Sequence, residues 1–162
     1  MAVTVVVFDV GETLVDEATA YARREAEGTA GLAFAERDLH GDALPCLEEL
    51  RGRNLRIGAA GNMHAMHEAF LRPHVDFVGS SERWGVRKPD VGFFARLVEE
   101  AGASAEEILY VGDRVDNDVL PALAAGLRAV RIRRGAHSDV ESPAGTATIG
   151  SLDDLPEVLE RV

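Results

Sequence analysis

Three continuous apolar runs constrain the fold of this chain more than any other feature. Each is followed by a polar or glycine-rich turn and then by a helical pattern; the runs are VTVVVF (3–8), LRIGAA (55–60) and ILYVGD (108–113). Continuous rather than alternating hydrophobicity is typical of strands buried on both faces, and helices between such strands indicate right-handed crossovers. The pattern therefore predicts an α/β fold built on a parallel sheet.

Weaker patterns predict the remaining elements. Further strands are expected at 75–79 and 129–133, with an edge strand at 147–149. Helices are expected at about 44–51, 63–71, 90–101, 116–125 and 152–160. The start signals of the last three helices are Asp90 after Pro89, then Asp116 or Asn117, then Ser151 with Asp154 three residues later.

Residues 15–43 do not fit this alternation. They are rich in Ala, Glu and Arg, and Gly28 and Gly31 interrupt their helical pattern. We therefore expect a short helical insertion within one domain that spans 1–162, because 162 residues of which 46% are apolar suit a single core.

The charge balance and the single cysteine limit the partners and the location. A net charge of -11 would repel nucleic acid phosphates and anionic lipid, so we expect neither as a partner. Cys46 cannot form an internal disulfide, which fits a reducing cytoplasm. No apolar run reaches the roughly 20 residues of a membrane-spanning helix, and we expect a soluble, unprocessed cytoplasmic protein.

Polar groups follow the predicted strands at the carboxyl end, where neighbouring loops of an open parallel sheet converge. They are Asp9, Gly61-Asn62 and Gly112-Asp113, and Lys88 lies in a further loop, RKPD. Two adjacent aspartates would repel unless a divalent cation lay between them, and carboxylate oxygens suit Mg²⁺. With a lysine to neutralise a phosphoryl group, this set predicts phosphoryl transfer to Asp9 and later hydrolysis by water.

The motif order resembles that of the haloacid dehalogenase-like (HAD) hydrolase superfamily. The matching segments, between about Val3 and Val130, are FDVGETL, IGAAGN, RKPD and YVGDRVDND. The resemblance implies a three-layer Rossmann-like sheet with helices on both faces and a cap inserted after the first motif. It also implies that Asp9 is the nucleophile and Lys88 the third-motif lysine, with Mg²⁺ held by Asp9, the Gly11 carbonyl, Asp113 and Asp118.

Two positions depart from the family pattern. Phosphatases of the superfamily usually have an aspartate two residues after the nucleophile, as general acid and base, whereas this chain has Gly11. The second motif usually ends in Ser or Thr, and here Gly61 is followed by Asn62. We expect Gly61, Asn62 and Lys88 to be the phosphate-binding residues, and backbone amides around Gly11 and Gly61 could still bind phosphate. Loss of the acid would slow turnover by a factor of about 10² to 10⁴.

Nearby acids offer a replacement only if their side chains reach the site. Glu12 is one position later, so its side chain should leave the loop in a different direction. Asp16 and Glu17 are better explained as acids at a helix N-terminus.

His64 and His67, with His74, lack the ligand spacing of a metal site, and we expect them to face solvent.

The sequence thus predicts a Mg²⁺-dependent hydrolase of small phosphate esters. Its turnover should be slow because position 11 has no acid. The alternative is a catalytically weakened module that binds Mg²⁺ and phosphate for regulation. Halide displacement is disfavoured because dehalogenases of the superfamily need no metal and lack the Gly-Asp that Gly112-Asp113 presents. The predicted insertion is shorter than the family's usual caps, so the resemblance implies either larger substrates or a lid supplied by the second subunit of a homodimer.

Overall fold

A computed structural model describes residues 2–162. Its six strands form one parallel sheet in the order β3-β2-β1-β4-β5-β6, which confirms the predicted α/β architecture. The strands are β1 (Val5–Phe8), β2 (Arg56–Gly61), β3 (Phe77–Ser80), β4 (Ile108–Gly112), β5 (Arg128–Ile132) and β6 (Ala147–Ile149). All six predicted strands are present, with ends shifted by at most two residues.

Helices cover both faces of the sheet. They are α1 (Glu17–Glu27), α2 (Ala43–Gly52), α3 (Ser81–Trp84), α4 (Val91–Ala101), α5 (Leu120–Ala124) and α6 (Leu155–Val158). Leu47 and Leu50 of α2 pack with Val6 of the central strand, whereas Phe93 of α4 packs on the other face with Val7. Side chains alternate across a strand, so β1 contributes to both cores and the fold has three layers.

The predicted helix at 63–71 is wrong. The chain instead forms two short 3₁₀ turns, Ala65–Glu68 and Arg72–His74. The Glu68 carboxylate is buried, where it accepts hydrogen bonds from the Ser80 hydroxyl at 2.5 Å and from Arg83. These tertiary bonds favour a conformation that helix periodicity does not anticipate.

Of the three predicted helix starts, Asp90 caps α4 directly, whereas Ser151 caps a 3₁₀ turn, Leu152–Asp154, that runs into α6. Asp90 accepts the Gly92 N–H at 2.7 Å, and the Ser151 hydroxyl accepts the Asp153 N–H at 3.1 Å. Neither Asp116 nor Asn117 begins a helix, because a wide π turn, Val115–Val119, precedes α5. Among residues 2–162, no helix combines the length and hydrophobicity needed to cross a membrane.

The segment 9–42, between β1 and α2, contains one regular helix, α1. Asp16 caps α1 by accepting the Thr19 N–H, and α1 ends at Gly28, whose φ of 71° is in the left-handed region that glycine adopts readily. Beyond it, irregular chain leads to a short 3₁₀ turn at Glu36–Asp38. Its position between the first two sheet units is where the sequence predicted an insertion; whether it acts as a cap stays a prediction.

Candidate active site

The site lies where the strand order reverses around β1. The chain runs outward through β2 and β3, then returns to β4 on the other side of β1, so the loops after β1 and β4 diverge from one point. A cavity of about 580 Å³ opens there, at the carboxyl ends of the strands. Its lining includes Asp9, Asn62, Lys88, Asp113 and Asp118.

Lys88 joins two of the predicted aspartates. Its Nζ lies 2.7 Å from Asp9 Oδ1 and 2.5 Å from Asp118 Oδ1, and all three residues are buried. Burial alone would lower the pKa of Lys88, but Asp118 and Asp9 hold it well above its ordinary value. Lys88 is therefore a fixed positive charge beside the Asp9 carboxylate.

Three carboxylates crowd together around this lysine. One oxygen each from Asp9, Asp113 and Asp118 lies within 4.8 Å of the others. Burial, then the charge of Asp9, raises the pKa of both Asp113 and Asp118. A buried set of hard oxygen donors with more negative charge than Lys88 can balance fits a divalent cation such as Mg²⁺.

A local backbone contact positions Asp118, and the Thr13 side chain contacts the other two carboxylates. Asp118 Oδ2 accepts the Arg114 N–H at 2.9 Å. Gly112 is required beside it, since a Cβ at that position would lie 2.4 Å from the Asp118 Cβ. The buried Thr13 hydroxyl lies between Asp9 Oδ2, at 3.3 Å, and Asp113 Oδ1, at 3.4 Å. Sequence reasoning missed Thr13, whose only signal was its place in the loop after Asp9.

The second-motif residues support the lysine and the nucleophile. Asn62 Oδ1 accepts the Lys88 N–H at 2.8 Å, and Asn62 Nδ2 donates to the Lys88 carbonyl at 3.0 Å. A Cβ on residue 61 would lie 3.0 Å from Asp9 Oδ1. Any residue other than glycine at position 61 would therefore require the Asp9 side chain to move slightly. The structure thus assigns Asn62 a positioning contact with the Lys88 loop; the predicted phosphate contacts of both residues stay predictions.

The loop after Asp9 turns back on itself and directs Glu12 away from the nucleophile. Glu12 has a φ of 62°, in the left-handed region. Its Oε1 accepts the Ala18 N–H of α1 at 3.0 Å. Glu12, Asp16 and His40 form a second group of nearby ligand atoms, but the first two are engaged with the N-terminus of α1. We assign this group no metal.

Glu17, set aside as an ordinary helix N-terminal acid, lies against Gly11. A Cβ built on Gly11 would fall 2.4 Å from Glu17 Oε2 and 3.2 Å from its carboxyl carbon. Burial raises the pKa of Glu17, opposed by a hydrogen bond with the Tyr21 side chain. Glu17 and Tyr21 both line the cavity that contains Asp9. No periodic pattern in the sequence indicates this contact, because it depends on how the turn at 12–16 folds.

The histidines differ in environment. His67 is buried, contrary to the expectation of a solvent-facing ring, and its Nδ1 accepts the Phe34 N–H at 3.0 Å. The Phe34 and His67 rings lie 4.4 Å apart between centroids. His64 is exposed, as expected. His67 therefore fastens the 16–42 connection to the loop after β2, beside the cavity.

Comparisons with known sequences identify relatives among phosphatases. A family model described as HAD-hydrolase-like matches residues 85–158. The chain is 36% identical over 123 residues to a glyceraldehyde 3-phosphate phosphatase of Methanocaldococcus jannaschii, covering 72% of this chain and 54% of that protein. Its identity to the Methanopyrus kandleri protein of that name is 33%, covering 67% and 49%. The chain thus spans about half the length of these curated relatives.

Solved structures share the fold. The magnesium-bound HAD-hydrolase YfnB of Bacillus subtilis superimposes with a TM-score of 0.77 at 17% identity, over 98% of this chain and 99% of that one. L-2-haloacid dehalogenase of Xanthobacter autotrophicus superimposes with a TM-score of 0.76 at 19% identity, over 99% of each chain. The architecture is therefore common to enzymes of different chemistry, and the site residues must discriminate between them.

Proposed function

Because this chain belongs to the haloacid dehalogenase-like hydrolase superfamily, we propose that it is a Mg²⁺-dependent phosphatase acting on a small phosphate monoester through a phosphorylated Asp9. The observation that carries the proposal is the buried cluster of Asp9, Asp113 and Asp118 around Lys88. The phosphatase names of the relatives support the same reaction class.

The chain's own residues have distinct tasks in this reaction. Asp9 attacks phosphorus, and the ester P–O bond breaks. Lys88, held protonated, offsets negative charge on the phosphoryl oxygens. Asn62 fixes the Lys88 backbone, and amides around Gly11 and Gly61 offer donors to phosphate. Water then cleaves the phosphoryl group from Asp9.

The oxygen donors of this site fit Mg²⁺. Asp9, Asp113 and Asp118, with the Gly11 carbonyl, would hold Mg²⁺, which supplies charge neutralisation at the phosphoryl oxygens. The buried Asp113 disfavours metal-free halide displacement, since such a reaction needs no second carboxylate beside the nucleophile. The cytoplasmic location and a homodimer remain part of the proposal.

The test is a phosphate-ester assay with and without Mg²⁺. The panel contains glyceraldehyde 3-phosphate, a pyrimidine nucleoside 5′-monophosphate and p-nitrophenyl phosphate, the first two suggested by the names of relatives. We expect Mg²⁺-dependent release of inorganic phosphate that Asp9→Asn abolishes. A wild-type protein that binds Mg²⁺ and phosphate but turns over none of these esters would contradict the proposal and favour the regulatory module instead.

A further inference from the structure

The reaction proposed above needs a proton donor beside the leaving group, and this inference rests on that proposed function. When the ester P–O bond breaks, an alkoxide leaves unless a proton reaches its oxygen. Asp9 is occupied by attack, and Lys88 is committed to two carboxylates. The donor must therefore be another group that lines the cavity.

Three other titratable side chains that line the cavity are already engaged elsewhere. Glu12 accepts a backbone N–H of α1, Glu82 accepts the Ala65 N–H at 2.6 Å, and His67 accepts the Phe34 N–H. Each of these contacts stabilises a turn or joins two segments. Proton transfer by any of these groups would compete with the contact that holds its segment.

Glu17 is placed differently. Its carboxyl lies over Gly11, in space that the side chain of any other residue at position 11 would enter, and it faces the cavity of Asp9. It is the first residue of α1, while Asp16 provides the cap, so capping does not require it. Tyr21, one turn later on the same helix, bonds to its carboxyl and orients it.

We propose that Glu17 is the general acid and base of this site, reaching from α1 to the place of the missing carboxyl at position 11. In the first step, an oxygen of Asp9 forms a bond to phosphorus, the ester P–O bond breaks, and protonated Glu17 gives its proton to the departing oxygen. In the second, Glu17 takes a proton from water as that water attacks phosphorus. The Asp9–phosphorus bond breaks, which releases inorganic phosphate and restores the Asp9 carboxylate and protonated Glu17.

The glycine at position 11 is then a requirement rather than a loss. A Cβ at position 11 would lie only 2.4 Å from Oε2 of Glu17. The Glu17 carboxyl can therefore occupy this place only if residue 11 has no side chain. An aspartate at position 11 would displace the Glu17 side chain, so the two carboxyls are alternatives for one place.

The experiment compares esters whose leaving groups differ in their need for a proton. The variants Glu17→Gln and Glu17→Ala are assayed with Mg²⁺ on p-nitrophenyl phosphate and on glycerol 3-phosphate, an alkyl ester. Since kcat/KM reports steps up to phosphorylation of Asp9, we expect it to fall about 10² to 10⁴-fold for the alkyl ester and less than about 10-fold for the nitrophenyl ester. A burst of nitrophenol should precede slow turnover, because water attack has lost its base.

Matched variants separate this role from a structural one. Glu12→Gln makes the same charge change beside the cavity and should retain both rates, while Gly11→Asp should restore alkyl-ester hydrolysis in the Glu17→Ala protein. Thermal unfolding checks that each variant is folded. Alkyl-ester hydrolysis unchanged in Glu17→Gln, while Asp9→Asn is inactive, would overturn the role of Glu17 and leave the phosphatase proposal intact. A wild-type protein inactive on every ester would overturn both.

Discussion

The Thr13 hydroxyl contacts two of the three crowded carboxylates. It lies 3.3 Å from Asp9 and 3.4 Å from Asp113 and is buried. Thr13→Val keeps the shape but removes the donor, and we expect it to lower the free energy of unfolding by about 1.5 to 3 kcal/mol without metal. Urea unfolding in chelator measures the change. Thr13→Ser keeps the hydroxyl and should lose less, and equal losses in the two variants would contradict a role for the hydrogen bond.

At this scale the sequence predicts the residues that meet but not how they are held. Asp9, Lys88 and Asp113 converge because loops at one end of a parallel sheet must meet there. Glu17 and Thr13 depend on the path of a tight turn around Glu12, whose positive φ no periodic pattern reveals. The sequence predicts that the Asn62 side chain binds phosphate. It does not reveal that the Lys88 backbone bonds to both polar atoms of the Asn62 amide.

Among the elements, the strands follow from sequence better than the short helices. A strand buried on both faces needs an unbroken apolar run, and β1, β2 and β4 have one. The segment 63–71 has helical periodicity, but buried Glu68 and His67 bond to distant residues that the local pattern does not contain. Local sequence therefore predicts elements that the core determines and fails where buried polar contacts determine the backbone.

Asp42, at the start of α2, ties this helix to two other parts of the fold. It pairs with Arg134 at 2.8 Å and accepts the Ser151 hydroxyl at 2.8 Å and the Leu152 N–H at 2.9 Å. Burial alone would raise the pKa of Asp42, but these partners lower it below its ordinary value. Its contribution to stability is therefore fully present above the unfolded pKa and is lost as pH falls through the folded pKa.

We expect Asp42→Asn to lower the free energy of unfolding by about 2 to 3 kcal/mol at pH 7. The wild-type advantage should shrink as the pH falls below about 4, because the Asp42 carboxylate is then protonated first in the unfolded chain and, at lower pH, in the folded chain. Urea titrations of both proteins between pH 3 and 7 measure the difference. A constant difference over this range would show that the loss comes from packing rather than from the carboxylate charge.

For the whole molecule, we expect the acidic centre to make stability depend on metal. Mg²⁺ that binds only the folded chain, at about 100 times its dissociation constant, adds about 2.7 kcal/mol, or about 5 to 10 °C in Tm. Asp113→Asn should lose most of this rise, yet its metal-free Tm should not fall, because it removes one of three crowded carboxylates. Asp116→Asn, an exposed acid paired with Arg114, should retain the rise. Thermal unfolding measures these changes. If Mg²⁺ raises the Tm of Asp113→Asn as much as that of the wild type, the metal binds elsewhere, and the crowded carboxylates at the carboxyl end of the sheet are not its site.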